Sequence, residues 1–257
     1  MVFVLNVPFY DRDIPSAVAQ ILSEMRSGAS RAQNFRISAT GAHGLIEARK
    51  SPAFNAVIQD FYINLPDGMP VVWVGRLRGH KQMRRCYGPD FFKELIVATA
   101  NTPINHFFCG GKEGVAEELQ AFCRTRLRNE HITGTYSPPF RSMTDQEMEE
   151  LGRRISKAGA DIIWIGLSTP KQEAFAHRLA GYVKAHYIIT VGAAFDFHTG
   201  RIKQAPRWMQ SIGMEWFFRL LTEPRRLYRR YFEIVPKFIF LNIKEFFYFY
   251  LSKRHIK

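Results

Sequence analysis

Short apolar runs that lead through small-residue loops into helical patterns recur along the first 200 residues, and this alternation restricts the fold more than any other feature. Residues 106–109, 161–165 and 187–191 are compact runs of this kind, and residues 2–7 and 35–39 are earlier ones. Between them, residues 16–25 carry Val18, Ile21, Leu22 and Met25 at helical spacing, with Asp13 or Ser16 as cap and Gly28 past the end. Residues 43–56, 114–128 and 170–182 read as further helices. Another starts at Ser142 or Thr144, where Thr144 and Glu147 have capping-box spacing. Strands alternating with helices over short links predict an α/β protein with a mostly parallel sheet and helices on both faces. Ligands of such folds sit at the carboxyl ends of the strands. No internal repeat or low-complexity tract interrupts the pattern.

Charge divides the chain differently. The formal net charge is +13, and residues 201–257 hold 13 Lys/Arg against 4 Asp/Glu, or +9 of it. That tail also holds Phe238, Phe240, Phe246, Phe247, Tyr248, Phe249 and Tyr250. It reads either as a packed helix with a solvated basic face or as an element lying in an anionic membrane interface. A nucleic-acid surface is the weaker alternative, because no helix-turn-helix, RRM or zinc-finger pattern accompanies the basic residues. The composition shift near Ala205-Pro206 separates a core, residues 1–204, from a helical appendage, residues 205–257. With 46% hydrophobic and 23% charged residues the chain is globular in balance. Cys86, Cys109 and Cys123 have no paired spacing, which fits a reducing, cytoplasmic setting. The N-terminus does not read as a signal peptide, and no window reaches the ~18 uncharged apolar residues of a membrane span.

Four segments can carry chemistry. Gly110-Gly111-Lys112-Glu113-Gly114 follows a strand and precedes a helix, where glycines admit a ligand and the helix N-terminus favours phosphate; a plain tight turn is the equal alternative. Pro66-Asp67-Gly68 is turn chemistry, or a carboxylate held at a cleft rim to take a proton from an attacking sugar hydroxyl. In Ser168-Thr169-Pro170-Lys171-Gln172, Pro170 suits a first helical turn and places Lys171 and Gln172 near any bound phosphate. Val191-Gly192-Ala193-Ala194-Phe195-Asp196 ends a strand in small residues and offers Asp196 to read a base. Asp11-Arg12-Asp13 has the form of a metal-holding DxD, but its place between strand and helix makes Asp13 a cap. The eight histidines lack HExxH spacing. Neither metal nor cofactor is expected.

In order, the strings PDGMPVVW, RRCYGPDFF, FFCGGKEGVAEEL, IGLSTPKQEAF, VGAAFDFHTG with RIKQAPRWM, and GMEWFFRLLTEPRRLYRRY resemble the WecG/TagA/CpsF family of bacterial glycosyltransferases. The resemblance covers roughly residues 2–235. It implies a Rossmann-like core and inverting transfer from a UDP-sugar to a polyprenyl-diphosphate-linked saccharide. It also implies no obligatory metal, and an appendage that docks at the membrane and completes the site. Asp67 then looks like the general base, and Arg85 and Gln172 like substrate-positioning groups. Asp196 looks like the uracil reader, Gly110 and Gly111 like part of the nucleotide cradle, and Arg219, Arg226 and Arg229 like groups facing the diphosphate. Arginine suits that task, being always charged and able to fork onto two oxygens.

One stretch departs from the family. Its Thr-x-Asn pair corresponds here to Ala39-Thr40-Gly41, with Gly41 at the Asn position and the Thr either Ala39 or a shifted Thr40. His43 substitutes for the pair or is only an early helix residue. Family donors are UDP-N-acetylmannosamine, UDP-N-acetylmannosaminuronate and UDP-glucuronate, and the sequence does not choose among them. The expectation is a peripheral enzyme of surface-polysaccharide synthesis at the cytoplasmic face of the inner membrane, with exopolysaccharide first because of the altered stretch. A nicotinamide-dependent Rossmann oxidoreductase is the rival enzyme, disfavoured by the lack of GxGxxG. Self-association is left open.

Overall fold

A computed structural model describes residues 1–28 and 33–254 of the chain, without side chains at 211, 226 and 248–254. Six parallel strands form its centre: β3 (Phe35–Thr40), β4 (Ile63–Pro66), β5 (His106–Gly110), β6 (Ile132–Tyr136), β7 (Ile162–Gly166) and β8 (Tyr187–Thr190). They lie in the order β4-β3-β8-β7-β5-β6. The central strand β7 is apolar at every position and fully buried because both faces are covered. In β7, Ile162 and Trp164 pack with α1 (Ile14–Arg26), α5 (Gly88–Ala98) and α6 (Val115–Arg126). Ile163 and Ile165 face the opposite way, onto α7 (Asp145–Lys157) and α8 (Lys171–Leu179). This two-residue alternation turns an uninterrupted hydrophobic string into two cores.

Several boundaries differ from the sequence reading, each for a local reason. Residues 2–7 are not one strand: β1 (Val2–Val4) turns through Leu5 and Asn6, both at positive φ, into antiparallel β2 (Val7–Phe9). Two successive left-handed residues are what a two-residue hairpin requires. Residues 43–56 are not one helix. α2 (Ala42–Lys50) stops at Ser51, whose side chain caps α3 (Pro52–Gln59), with Pro52 unable to continue the ladder. Strands β4 and β6, α4 (Met69–Leu77) and α5 have no counterpart in that reading. Thr144 and Glu147 do form the capping box of α7, and the Asp13 side chain accepts from Ser16 N at 3.0 Å as the cap of α1.

After the short core helix α9 (Ala194–His198), the basic tail comprises the short α10 (Arg207–Ser211) leading to α11 (Glu215–Thr222) and the long α12 (Pro224–Arg254). α12 is seated on the core. Ile234 and Phe238 are buried with Val4, Leu45 and Val71, and the helix is pinned by Lys50 to Glu233 at 2.8 Å and Arg78 to Glu245 at 2.6 Å. Among the described residues no helix is long and apolar enough to cross a membrane.

Candidate active site

The parallel register pairs Thr40 with Pro66, so β3 and β4 deliver Thr40 and Asp67 to the same spot. Asp67 N donates to Thr40 O at 3.0 Å, which locks the two loops together. The half-buried Asp67 carboxylate forms the floor of a cleft of about 1360 Å³. Its Oδ1 accepts from Gly88 N, at the start of α5, at 2.7 Å. Among the described residues no hydrogen bond reaches Oδ2. Burial pushes the carboxyl above the ordinary carboxylate range, and the Arg85 charge and the Gly88 N–H oppose this without cancelling it. The result is an anchored carboxylate at the cleft, with Oδ2 outside any hydrogen bond among the described residues and with more basicity than a surface Asp.

Arg85 forms the wall beside it. Its Nε donates to Asp67 O at 2.6 Å, its guanidinium lies 4.0 Å over the Tyr87 ring, and its Nη2 donates to Glu215 Oε2 at 2.6 Å. Glu215 is 7% exposed and comes from α11, so the core's arginine and the tail's glutamate close the site across the chain. One turn on, Arg219 lies 5.7 Å over the Phe197 ring, with its Nε buried and without a hydrogen-bond partner among the described residues. Arg230 of α12 lines the cleft on the side of His43. Burial, then the Arg230 charge, lowers the His43 pKa to about 4, so its imidazole is neutral at physiological pH.

The remaining predicted residues separate into those that meet the cleft and those that support it. Thr40, Lys171, Gln172, Asp196, Arg219 and Gly111 line it. The Thr40 hydroxyl is buried and has no hydrogen-bond partner among the described residues. Gly110 is a packing residue: at φ 153° a Cβ would lie 2.5 Å from Gly166 O. Gly111, at φ 74°, donates to that same carbonyl at 2.9 Å. Gln172 is 1% exposed, and its amide ties loops together. It accepts from Gly192 N at 2.9 Å and donates to Thr169 Oγ1 at 3.2 Å and Glu173 Oε1 at 2.9 Å. Arg229 is exposed and does not line the cleft. The buried stripe of α12 contains Leu227, Ile234 and Phe238, and at 100° per residue it carries Arg230 inward and Arg229 outward. The Arg226 side chain lies outside the described residues. Asp11, of the rejected DxD, accepts from His80 Nδ1 and the N-terminal amine, at 2.9 and 3.0 Å.

The model of the glycosyl transferase WecG/TagA/CpsF family matches residues 2–250. The chain belongs to that family. It is therefore a glycosyltransferase with the fold its motifs implied. It is also 32% identical over 181 residues to the N-acetylglucosaminyldiphosphoundecaprenol N-acetyl-β-D-mannosaminyltransferase of Bacillus subtilis strain 168, across 70% of this chain and 68% of that one. Sequence reasoning about this glycosyltransferase missed Glu215 and Tyr87, although both lie inside quoted motifs. It missed Arg230 because RRLYRR offers four arginines and only the helix's buried stripe selects among them.

Proposed function

We propose that this glycosyltransferase moves a sugar from a UDP-sugar, with inversion, onto a polyprenyl-diphosphate-linked saccharide during surface-polysaccharide synthesis. The observation that carries the reading is the free oxygen of an anchored, burial-raised carboxylate, Asp67, in a cleft walled by Arg85, Arg219 and Arg230. Asp67 takes the proton of the acceptor hydroxyl as that oxygen bonds to the anomeric carbon. The bond from that carbon to UDP breaks at the same time, and the diphosphate leaves with its electron pair. Developing charge there is met by Arg219 and Arg230 and by the N-terminus of α8 beside Lys171. Thr40 and Asp196 are suited to hold sugar and base, while Gln172 keeps the Gly192 loop in place. A cleft of about 1360 Å³ exceeds the ~300–1,000 Å³ usual for one small ligand, which agrees with two substrates.

The relative's name favours N-acetylmannosamine as the donor sugar and an N-acetylglucosaminyl-diphosphate-lipid as acceptor. Its β linkage agrees with inversion of an α-linked nucleotide sugar. The tail supports a place at the inner membrane face. Trp208, Leu221, Phe232, Phe240 and Phe247 are each more than 60% exposed among a surplus of Lys and Arg. The test is a panel of UDP-sugars offered with the lipid-linked acceptor and read by mass spectrometry. A single sugar added to the acceptor, with UDP released, is expected. No transfer from any UDP-sugar, with salt-sensitive duplex DNA binding instead, would overturn the reading in favour of a nucleic-acid protein.

A further inference from the structure

We propose that the groove between α4 and α12 grips the first isoprene units of the acceptor's carrier chain, so that the protein as well as the bilayer holds the lipid. The inference rests on the lipid-linked acceptor proposed above. α4 starts next to Asp67 and has two apolar faces. Val71, Val72 and Gly75 are buried in the core. Pro70, Trp73 and Leu77, at helical spacing, line the cleft instead, with Trp73 46% and Leu77 76% exposed. α12 repeats this division. Ile234 and Phe238 touch the cleft but are buried against the core, whereas Val235, Ile239 and Ile243, four residues apart, line the same cleft and are 39%, 52% and 50% exposed.

The two walls are framed at both ends. Arg78, just past α4, pairs with Glu245 of α12 at 2.6 Å. At the inner end Gly213 brings the tail against α4, since a Cβ there would lie 3.0 Å from the Trp73 ring. Two apolar stripes are thus held facing each other across open space, an arrangement that a hydrocarbon ligand stabilises.

The order of chemistry along the cleft identifies the occupant. Asp67 comes just before α4 and is bonded to Arg85, and on α12 Arg230 comes before Val235, Ile239 and Ile243, so on both walls the charged groups precede the apolar stripe. A polyprenyl diphosphate has the same order, an anionic head joined to hydrocarbon. UDP-sugars and nucleic acids have no apolar segment to fill the outer part. Nine residues of α4 span about 13 Å, enough for the first isoprene units and not for a long chain. The remainder passes the exposed Leu77 end toward the membrane.

The test compares two acceptors in detergent micelles, which removes bilayer docking from the comparison. One is N-acetylglucosaminyl diphosphate on an undecaprenyl carrier, the other the same head on a single isoprene unit. In Trp73→Ser and in the Leu77→Asn/Ile239→Asn double variant, the ratio of KM values, long chain over short, should rise about tenfold. An unchanged ratio overturns the proposal, and an unchanged ratio with a lower sedimentation coefficient assigns the face to a second copy of this chain. A photoreactive diazirine on the second isoprene unit of a prenyl diphosphate should label peptides of α4 and α12; labelling confined to other peptides overturns the proposal. Failure of the acceptor reading is distinct, since the wild-type enzyme would then use neither acceptor.

Discussion

Asp67 combines two properties at one residue that usually conflict. It is held by a backbone N–H, which favours the ionised form, and it is partly withdrawn from water, which penalises it; the desolvation wins. The acid limb of the kcat/KM profile should therefore lie above the range of an ordinary carboxylate, as pH-rate measurements would show. The sign for stability is opposite to that of a paired Asp. A raised pKa in the folded state means that ionisation costs stability, so the cost is absent below the unfolded-state pKa and appears as pH rises through the folded one. Asp67→Asn keeps an acceptor for Gly88 N and removes the charge. It should lose about 10²–10⁴-fold in turnover, keep UDP binding, and melt no lower than wild type at neutral pH. A parallel loss of melting temperature and turnover would make Asp67 structural. Glu215→Gln separates positioning from chemistry beside it. It retains an oxygen for Arg85 but not the charge, so KM should rise by a larger factor than kcat falls. The reverse pattern, kcat alone reduced, would place Glu215 among the reacting groups.

At the scale of the element, α12 shows how a helix selects among neighbouring arginines. Arg230 shares the inward side with Leu227 and Ile234, whereas Arg229 is exposed. Arg230→Ala should lower kcat/KM at least tenfold, a loss of about 1.4 kcal/mol, and Arg229→Ala should stay within about twofold. Equal effects would contradict the helix register. The same helix contributes buried apolar contacts. Phe238→Ala leaves a cavity among Val4, Leu45 and Val71 and should cost about 3–5 kcal/mol in denaturant unfolding. A change under 1 kcal/mol would mean that the tail is not seated on the core. The tail motifs GMEWFFRLL and RRLYRR were legible as strings, but which of their side chains turn inward was not. That choice depends on where the hairpin, α2 and α4 lie.

For the whole molecule, the charge of +9 in residues 201–257 sits beside exposed tail aromatics, while the site opens between tail and core. Co-sedimentation with anionic vesicles should be strong at low salt and fall steeply as ionic strength rises beyond a Debye length of ~8 Å. Deleting residues from Ala205 should abolish both binding and transfer, because Glu215, Arg219 and Arg230 leave the cleft. A truncated enzyme with full activity would reject the joint site. Salt-independent vesicle binding would assign the attachment to the apolar groups alone.

The sequence by itself determined the family and the strand–helix alternation around β3, β5, β7 and β8, but not β4, β6, α4 or α5. Strand runs, caps and Gly/Pro punctuation are local, and local physics is written in neighbouring residues. It also determined Asp13 as a cap and Thr144 with Glu147 as a capping box. Only the tertiary structure decided that Gly110 packs against Gly166, that Gln172 ties loops, that Arg85 meets Glu215 across 130 residues, and that Arg230 rather than Arg229 reaches the cleft. Each of these depends on elements far apart in the chain being packed together. Hydrophobic burial drives that packing without direction, and the paired side chains fix it only once it has formed.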